Sequence, residues 1–157
     1  MRQILLGALT AVTLATATGF GFIQSGGIDF AADSPHSPLT TKVIAWAREQ
    51  SVAKQAQKVI PPGDLASEER VRRGAGNYEG MCVSCHLSPG VEDSELRKGL
   101  YPLPPNLSLD GAPTEEAGAD ARRFWIIKHG IKGSGMSAWA KGGMDDEAIW
   151  EDRKSVV

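Results

Sequence analysis

The segment Cys82-Val83-Ser84-Cys85-His86 governs how the rest of this chain is interpreted. The pattern C-x-x-C-H is the attachment signature of a c-type haem. Two thiols must reach two vinyl groups on one edge of a porphyrin, and the adjacent histidine then lies beneath the iron as its proximal ligand. The motif uses both cysteines of the chain. We therefore expect one covalent haem c with its iron, held by Cys82, Cys85 and His86.

The composition sets the size of the domain and the classes of partner. The 157 residues allow one domain with accessory segments. The 17 Lys and Arg residues are nearly balanced by 19 Asp and Glu residues. No basic cluster occurs, so we expect no nucleic-acid partner. A porphyrin would supply much of the apolar core that a short chain otherwise lacks.

Residues 1–25 are a membrane anchor or a signal peptide. Met1-Arg2 precedes an uncharged stretch from Ile4 to about Ile23. A helix of about 20 residues spans about 30 Å, the thickness of the bilayer hydrocarbon core. A cleaved signal peptide would use a shorter core and a small-residue site such as Ala15-Thr16-Ala17. We favour the uncleaved anchor on length, and either alternative places the remaining chain on the periplasmic side of the membrane.

Residues 26–63 form a linker that contains one helix. The Pro- and Ser-rich stretch up to Pro38 predicts extended chain, and a helix is expected from Leu39 to Val59, capped by Thr40 or Thr41. Its partial apolar stripe consists of Val43, Ala47, Val52, Ala56 and Val59. We interpret this helix as a spacer that holds the haem domain off the membrane. An interfacial or partner-binding helix is the alternative.

Residues 64–157 are expected to form the haem domain. Helical patterns cover 64–80, 94–100 and 114–128, and Asp145 or Asp146 caps a final helix. Gly74, Tyr78 and Cys82 share one face of the first of these helices. Gly130 is expected to end the third helix. Because strand-like alternation does not occur, the sequence predicts an all-α domain.

The second axial ligand of the iron is expected from the C-terminal half. The candidates are His129, Met136 and Met144. Met136 is preferred because it lies in a loop, residues 133–139, whose glycines let the backbone approach a porphyrin face closely. A Met/His ligand pair raises the reduction potential, which suits an electron carrier. Phe124, Trp125 and Trp139 are expected to line the haem or the core.

The proximal imidazole needs a partner for its other ring nitrogen. Haem domains of this kind orient that ring with a hydrogen bond to a carbonyl oxygen. The proline-rich loop from Tyr101 to Pro105 is the expected source of that carbonyl, although the sequence does not single out one residue.

The pattern Gly74-x3-Tyr78-x3-Cys82-x2-Cys85-His86, with Gly135-Met136 some fifty positions later, resembles class I c-type cytochromes. Further segments resemble bacterial membrane-anchored monohaem members: Asn77-Tyr78, Leu87-x-Pro89-Gly90, Ser94-Glu95-Leu96-Arg97, Gly99-Leu100-Tyr101-Pro102 and 124–132. The resemblance covers about residues 64–150. It implies thioether bonds at Cys82 and Cys85, proximal His86, distal Met136, and a helical bundle whose N- and C-terminal helices cross near Gly74 and Tyr78.

The C-terminal segment departs from that family pattern. Where the family continues with an apolar helix after Trp150, the chain has charged residues, 151–154, and then Ser155-Val156-Val157. We expect a last helix that is short and poorly amphipathic, and a C-terminus that is truncated or frame-shifted relative to its relatives. A looser Met136 loop would follow from this.

Two functions from different classes are compatible with these residues. The leading one is a one-electron carrier, not an enzyme, in a bacterial respiratory or periplasmic electron-transfer chain. Its redox partner would be an oxidase, a quinol-oxidising complex or a periplasmic dehydrogenase. The alternative is a haem enzyme or sensor with an open sixth coordination site. Thiol–disulfide exchange and a zinc site are disfavoured because no βαβ pattern and no second ligand pair accompany the cysteines.

Overall fold

The computed structural model describes residues 1–65, 67–109 and 118–152, and in these ranges the chain is helical without a strand. The elements are α1 (Arg2–Gln24), α2 (Pro38–Ala56), α3 (Glu68–Met81), α4 (Val83–His86), α5 (Glu95–Lys98), α6 (Ala119–His129), a 3-10 turn (Trp139–Gly142) and α7 (Asp146–Asp152). The predicted all-α class is confirmed. The chain divides into two compact units, Met1–Ser34 and Pro35–Val157.

The first unit contains α1, whose side chains are all exposed. By length and composition it is the one helix among the described residues that could cross a membrane. Its threonines suit an apolar surrounding because their hydroxyls donate to carbonyls one turn earlier. Thr10 bonds to Leu6, and Thr13 and Thr16 bond in the same way, each at 2.9 Å.

Helix α2 begins earlier and ends earlier than the sequence predicts. Ser37, rather than Thr40 or Thr41, is the N-cap, because its hydroxyl accepts the Thr40 N–H and Pro38 occupies the first turn. The helix ends at Ala56 instead of Val59. The sequence does not decide which residue caps this helix, since Ser37, Thr40 and Thr41 are all suitable N-caps and lie within five residues of one another.

The predicted apolar stripe of α2 is only half right. Val52 and Ala56 are buried, whereas Val43 and Ala47 are exposed. The buried face packs against α6, where Glu49 and Arg122 form an ion pair. Helix α2 therefore belongs to the same compact unit as α3–α7, whereas the predicted domain boundary lies at residue 64.

Helix α3 begins at Glu68, four residues later than predicted, because the Ser67 hydroxyl accepts the Arg70 N–H and caps it. It crosses α7 at Gly74. A Cβ atom at this position would overlap the Glu151 carbonyl and lie 2.9 Å from the Asp152 nitrogen. The close approach of the two backbones thus requires glycine, and the crossing expected from the class I resemblance is confirmed.

The remaining predicted helices have the following outcomes. Ser94 caps α5, and the Asp145 carboxylate accepts the Ala148 N–H at the start of α7. Helix α6 ends at Gly130, which has φ +66°, as the sequence predicts. Its predicted start at Thr114 lies outside the described residues, as do residues 153–157 of the C-terminal segment.

The core of the domain lies between α6, α7 and the segment that joins α2 to α3. It is a cluster of Leu65, Phe124, Ile149 and Trp150, on which Val59, Ile127, Ala140 and Met144 pack. Phe124 stacks on Trp150 with the ring centroids 4.1 Å apart. The short α7 is thereby a central element of the core, although a sequence reading finds it poorly amphipathic.

Charged residues of α7 are accommodated by two arginines of α3. Glu151 is buried and forms an ion pair with Arg73, and Glu147 pairs with Arg70 at 2.7 Å. Arg70 also binds Asp64 at 2.9 Å. Of the two acidic residues that depart from the family pattern, Glu151 is therefore matched by a basic residue on the facing helix.

Candidate haem site

The C-x-x-C-H segment forms a single helical turn directly after α3. The His86 N–H donates to the Cys82 carbonyl at 2.8 Å, and the Leu87 N–H donates to the Val83 carbonyl at 2.8 Å. One turn of helix places residues three apart on one face, so Cys82 and Cys85 present their thiols together. Both thiols are free and half-buried.

The turn ends at Leu87, the one non-glycine residue with positive φ, +65°, in the described ranges. Such a conformation costs about 1 to 2 kcal/mol and persists only where its surroundings impose it. Leu87 is 1% exposed, and its carbonyl accepts a hydrogen bond of 2.6 Å from the Tyr78 hydroxyl. The Tyr78 ring of α3 thus fixes the direction in which the chain leaves the motif.

His86 is oriented by the carbonyl of Pro105. Its Nδ1 lies 2.9 Å from that oxygen, and a donating Nδ1–H leaves the lone pair on Nε2 for a metal. Burial lowers the pKa of His86 below its usual value, the hydrogen bond to Pro105 opposes this shift, and the charge of Arg97 adds to it, so the balance favours the neutral imidazole. The expectation that loop 101–105 supplies this carbonyl is confirmed, and Pro105 is the residue.

Arg97 is a positioning residue that the sequence analysis missed. Its Nε donates to the Pro104 carbonyl at 2.9 Å, and its Nη1 binds Asp93 at 2.9 Å. The Arg97 guanidinium holds the pKa of Asp93 below its usual value. The Leu107 N–H donates to the His86 carbonyl at 3.0 Å, which ties the other end of the loop to the motif. The only sequence signal for this role is the i, i+4 spacing of Asp93 and Arg97.

Asp152 lies behind the first cysteine. The Cys82 sulfur is 3.6 Å from its carboxylate, and Asp152 is 2% exposed. Burial raises the pKa of Asp152 to about 6 and that of the Cys82 thiol to about 12. A thiol with so high a pKa is a poor nucleophile at neutral pH, which further disfavours thiol–disulfide exchange. In the sequence, Asp152 is only one of the four charged residues 151–154 and carries no signal of this contact.

The sequence predicts the ligand loop over residues 133–139. In the structure the bonded loop around Met136 spans residues 130–137, which we call the ligand loop, and it is held by short-range bonds. The Ile131 N–H donates to the Met136 carbonyl at 3.1 Å, and the Met136 N–H donates to the Ser134 hydroxyl at 3.1 Å. A Cβ atom at Gly135 would lie 2.8 Å from a methyl group of Leu100, so the loop lies against the segment that follows α5. Met136 itself is half-buried.

The other ligand candidates have different surroundings. Met144 packs against the apolar core cluster. His129 is exposed, with its ring 5.0 Å from that of Trp125. Among the expected aromatic residues, Phe124 is committed to the core through Trp150, whereas Trp125 and Trp139 are half-buried. No group of three or more His, Cys, Asp and Glu residues that could hold a bare metal ion occurs in the part of the chain that the structure describes.

Comparison with known families matches residues 69–151, just over half of the chain, to the family described as cytochrome C oxidase, cbb3-type, subunit III. The chain belongs to this family of c-type cytochromes. No curated protein and no solved structure matches it. The resemblance to class I c-type cytochromes is confirmed, and the protein carries covalent haem c with its iron. The paired thiols and the neutral imidazole oriented through Nδ1 fit this group.

Proposed function

We propose that this c-type haem electron carrier is a monohaem cytochrome with His/Met axial ligation. Cys82 and Cys85 carry the thioether bonds, His86 is the proximal ligand and Met136 the distal ligand. The observation that carries the proposal is that Met136 is bonded through both its backbone N–H and its carbonyl inside a loop that lies against Leu100. A ligand held in this way needs little rearrangement when the iron changes its charge.

The surroundings of the other candidates support this assignment. Met144 is part of the packing around Phe124, Ile149 and Trp150, so using it as a ligand would open the core. His129 occupies the last turn of α6, where a basic side chain interacts favourably with the helix dipole. Met136 has neither of these structural roles.

The residues around the haem determine how it exchanges electrons. Haem c supplies the one-electron couple between ferric and ferrous iron. His86 is held by the Pro105 carbonyl, which increases the basicity of the imidazole, and the methionine thioether raises the reduction potential. His86 and Met136 would together hold the iron and leave no position on it for a substrate. The chain therefore acts as a carrier and not as an enzyme.

We place the haem domain on the extracytoplasmic side, attached to the membrane by α1. Support comes from the length and apolar character of Arg2–Gln24 and from the attachment of haem c outside the cytoplasm. The partner is then a redox protein of a bacterial respiratory or periplasmic chain: an oxidase, a quinol-oxidising complex or a periplasmic dehydrogenase.

The absorption spectrum of the haem-loaded protein tests the ligand set. A methionine–iron charge-transfer band is expected in the oxidised protein, and it should vanish in Met136→Ala while remaining in the matched variant Met144→Ala. The reduced wild type should not bind carbon monoxide at neutral pH, whereas Met136→Ala should bind it. A band that survives in Met136→Ala, or carbon monoxide binding by the wild type, would contradict the proposal. The second of these results would favour an enzyme or sensor with an open sixth site.

A further inference from the structure

Helix α2 has apolar residues on two faces, about 120° apart around its axis. One face, with Ala45, Glu49, Val52 and Ala56, is half-buried or buried and packs against α6. The other contains Leu39, Val43 and Trp46, which recur at the same helical spacing of four and three residues. We call these three residues the outer stripe.

The outer stripe is open to solvent within the described domain. Leu39 is 72% exposed, Val43 54% and Trp46 67%. Single exposed apolar residues are normal, but three large ones on a single face, including a tryptophan, indicate a contact surface. The stripe stops at Trp46, because Gln50 and Lys54 follow on the same face.

The charge around the outer stripe indicates which kind of surface the stripe would bind. Lys42 and Lys54 are exposed on α2, and the single acidic residue of this helix, Glu49, is paired with Arg122 on the α6 side. A basic helix with an exposed tryptophan matches the headgroup region of a bilayer containing anionic lipids. Three side chains are too few for a stable protein–protein interface, which buries about 800 Å² on each partner.

The chain also keeps α2 close to such a surface. Residues 25–37 separate α1 from α2 and reach at most about 45 Å when extended. A tether of this length gives an effective concentration in about the millimolar range, so even weak affinity for lipid is sufficient for binding.

We propose that the outer stripe of α2 docks into the headgroup layer of the membrane that carries α1. Leu39, Val43 and Trp46 enter the boundary between headgroups and acyl chains, while Lys42 and Lys54 meet anionic lipid headgroups. The proposal rests on the membrane attachment proposed above. It assigns α2 two roles, packing on α6 with one face and orienting the haem domain on the bilayer with the other.

Thiol accessibility in nanodiscs tests the docking. Because Cys82 and Cys85 are consumed by the haem, Leu39→Cys carries the one reactive thiol of the full-length protein. Ser51→Cys is the matched control, exposed on the same helix about 120° around its axis. In nanodiscs of phosphatidylcholine and phosphatidylglycerol, a water-soluble maleimide should modify Leu39→Cys severalfold more slowly than Ser51→Cys, as followed by the mass of the protein.

A second variant separates lipid docking from other causes of protection. Adding Val43→Ser and Trp46→Ser to Leu39→Cys should restore its reactivity to that of Ser51→Cys, since both replaced side chains are exposed and their loss does not touch the core. Equal reactivity of Leu39→Cys and Ser51→Cys in incorporated protein would overturn the docking alone. The outer stripe would then be a candidate contact surface for a protein partner. Failure of the protein to incorporate into nanodiscs would overturn the membrane attachment and the docking together.

Discussion

The two sides of the haem site are stabilised in different ways. On the attachment side, which comprises residues 74–107 and α7, the contacts that close the site join segments distant in sequence. The backbone at Gly74 lies against the Glu151 carbonyl, and the Cys82 sulfur lies near the Asp152 carboxylate. The His86 ring is hydrogen-bonded to the Pro105 carbonyl. In the ligand loop, residues 130–137, the described hydrogen bonds of Met136 stay within the loop.

Because of this difference, we expect variants on the attachment side to change the stability of the fold, and variants in the ligand loop to change the iron ligand. Long-range contacts on the attachment side form only when the whole domain is folded, so their loss should lower the free energy of unfolding. Short-range contacts in the ligand loop fix one side chain, so their loss should change the iron ligand more than the fold. The following variants test this separation.

Gly74→Ala should have the largest effect on stability. The new methyl group would overlap the Glu151 carbonyl, and backbone atoms cannot move aside as a flexible side chain can. We expect a loss of about 3 kcal/mol in unfolding free energy, measured by guanidinium titration of the haem-loaded protein. Gly76→Ala on the same helix is the control, because its methyl group meets open space and should stabilise the helix by about 0.5 to 1 kcal/mol. Equal stabilities of the two variants would refute a backbone crossing at Gly74.

Asp152→Asn should stabilise the protein at neutral pH and have little effect in acid. Burial raises the pKa of Asp152 from the ordinary 3.8 to about 6, so the native state binds a proton more tightly than the unfolded state. Stability contributed by this group is present below pH about 4 and is lost as the pH rises through about 6. Replacing the carboxylate should therefore raise the unfolding free energy by about 3 kcal/mol above that window.

Denaturant titrations at several pH values check this prediction. The difference between wild type and Asp152→Asn should grow between pH about 4 and 6 and then become constant. The control is Glu79→Gln, which removes an exposed carboxylate from α3. A difference that does not depend on pH would mean that the Asp152 carboxylate is not the titrating group.

Gly130→Ala should have the smallest effect on stability and a clear effect on ligation. Its φ of +66° strains any other residue, and a Cβ atom would lie 2.6 Å from the Met136 carbonyl oxygen. We expect a loss of about 1 to 2 kcal/mol and a weakened or absent methionine–iron band. Gly133→Ala has a similar positive φ, +72°, but meets open space, so it should cost less than Gly130→Ala and keep the band. If both variants keep the band, the ligand loop is not fixed through Gly130.

Much of this protein could be predicted from its sequence because the relevant physics is local. The C-x-x-C-H turn, the cap of α5 at Ser94 and the end of α6 at Gly130 depend on residues a few positions apart. Helix boundaries were less predictable where several capping residues compete, as at Ser37, Thr40 and Thr41. The predicted apolar stripe of α2 is only partly right, since a helix with apolar residues on two faces does not reveal which one packs.

The sequence by itself determined the helical class, the haem attachment motif and the small set of candidate ligands. Only the tertiary structure decided that Pro105 orients His86, that Arg97 holds the loop, that Asp152 lies behind Cys82, and that α2 packs on α6. The physical reason is distance along the chain. Such contacts depend on which segments come together when the core forms around Phe124, Ile149 and Trp150. No local pattern of residues predicts which segments these are.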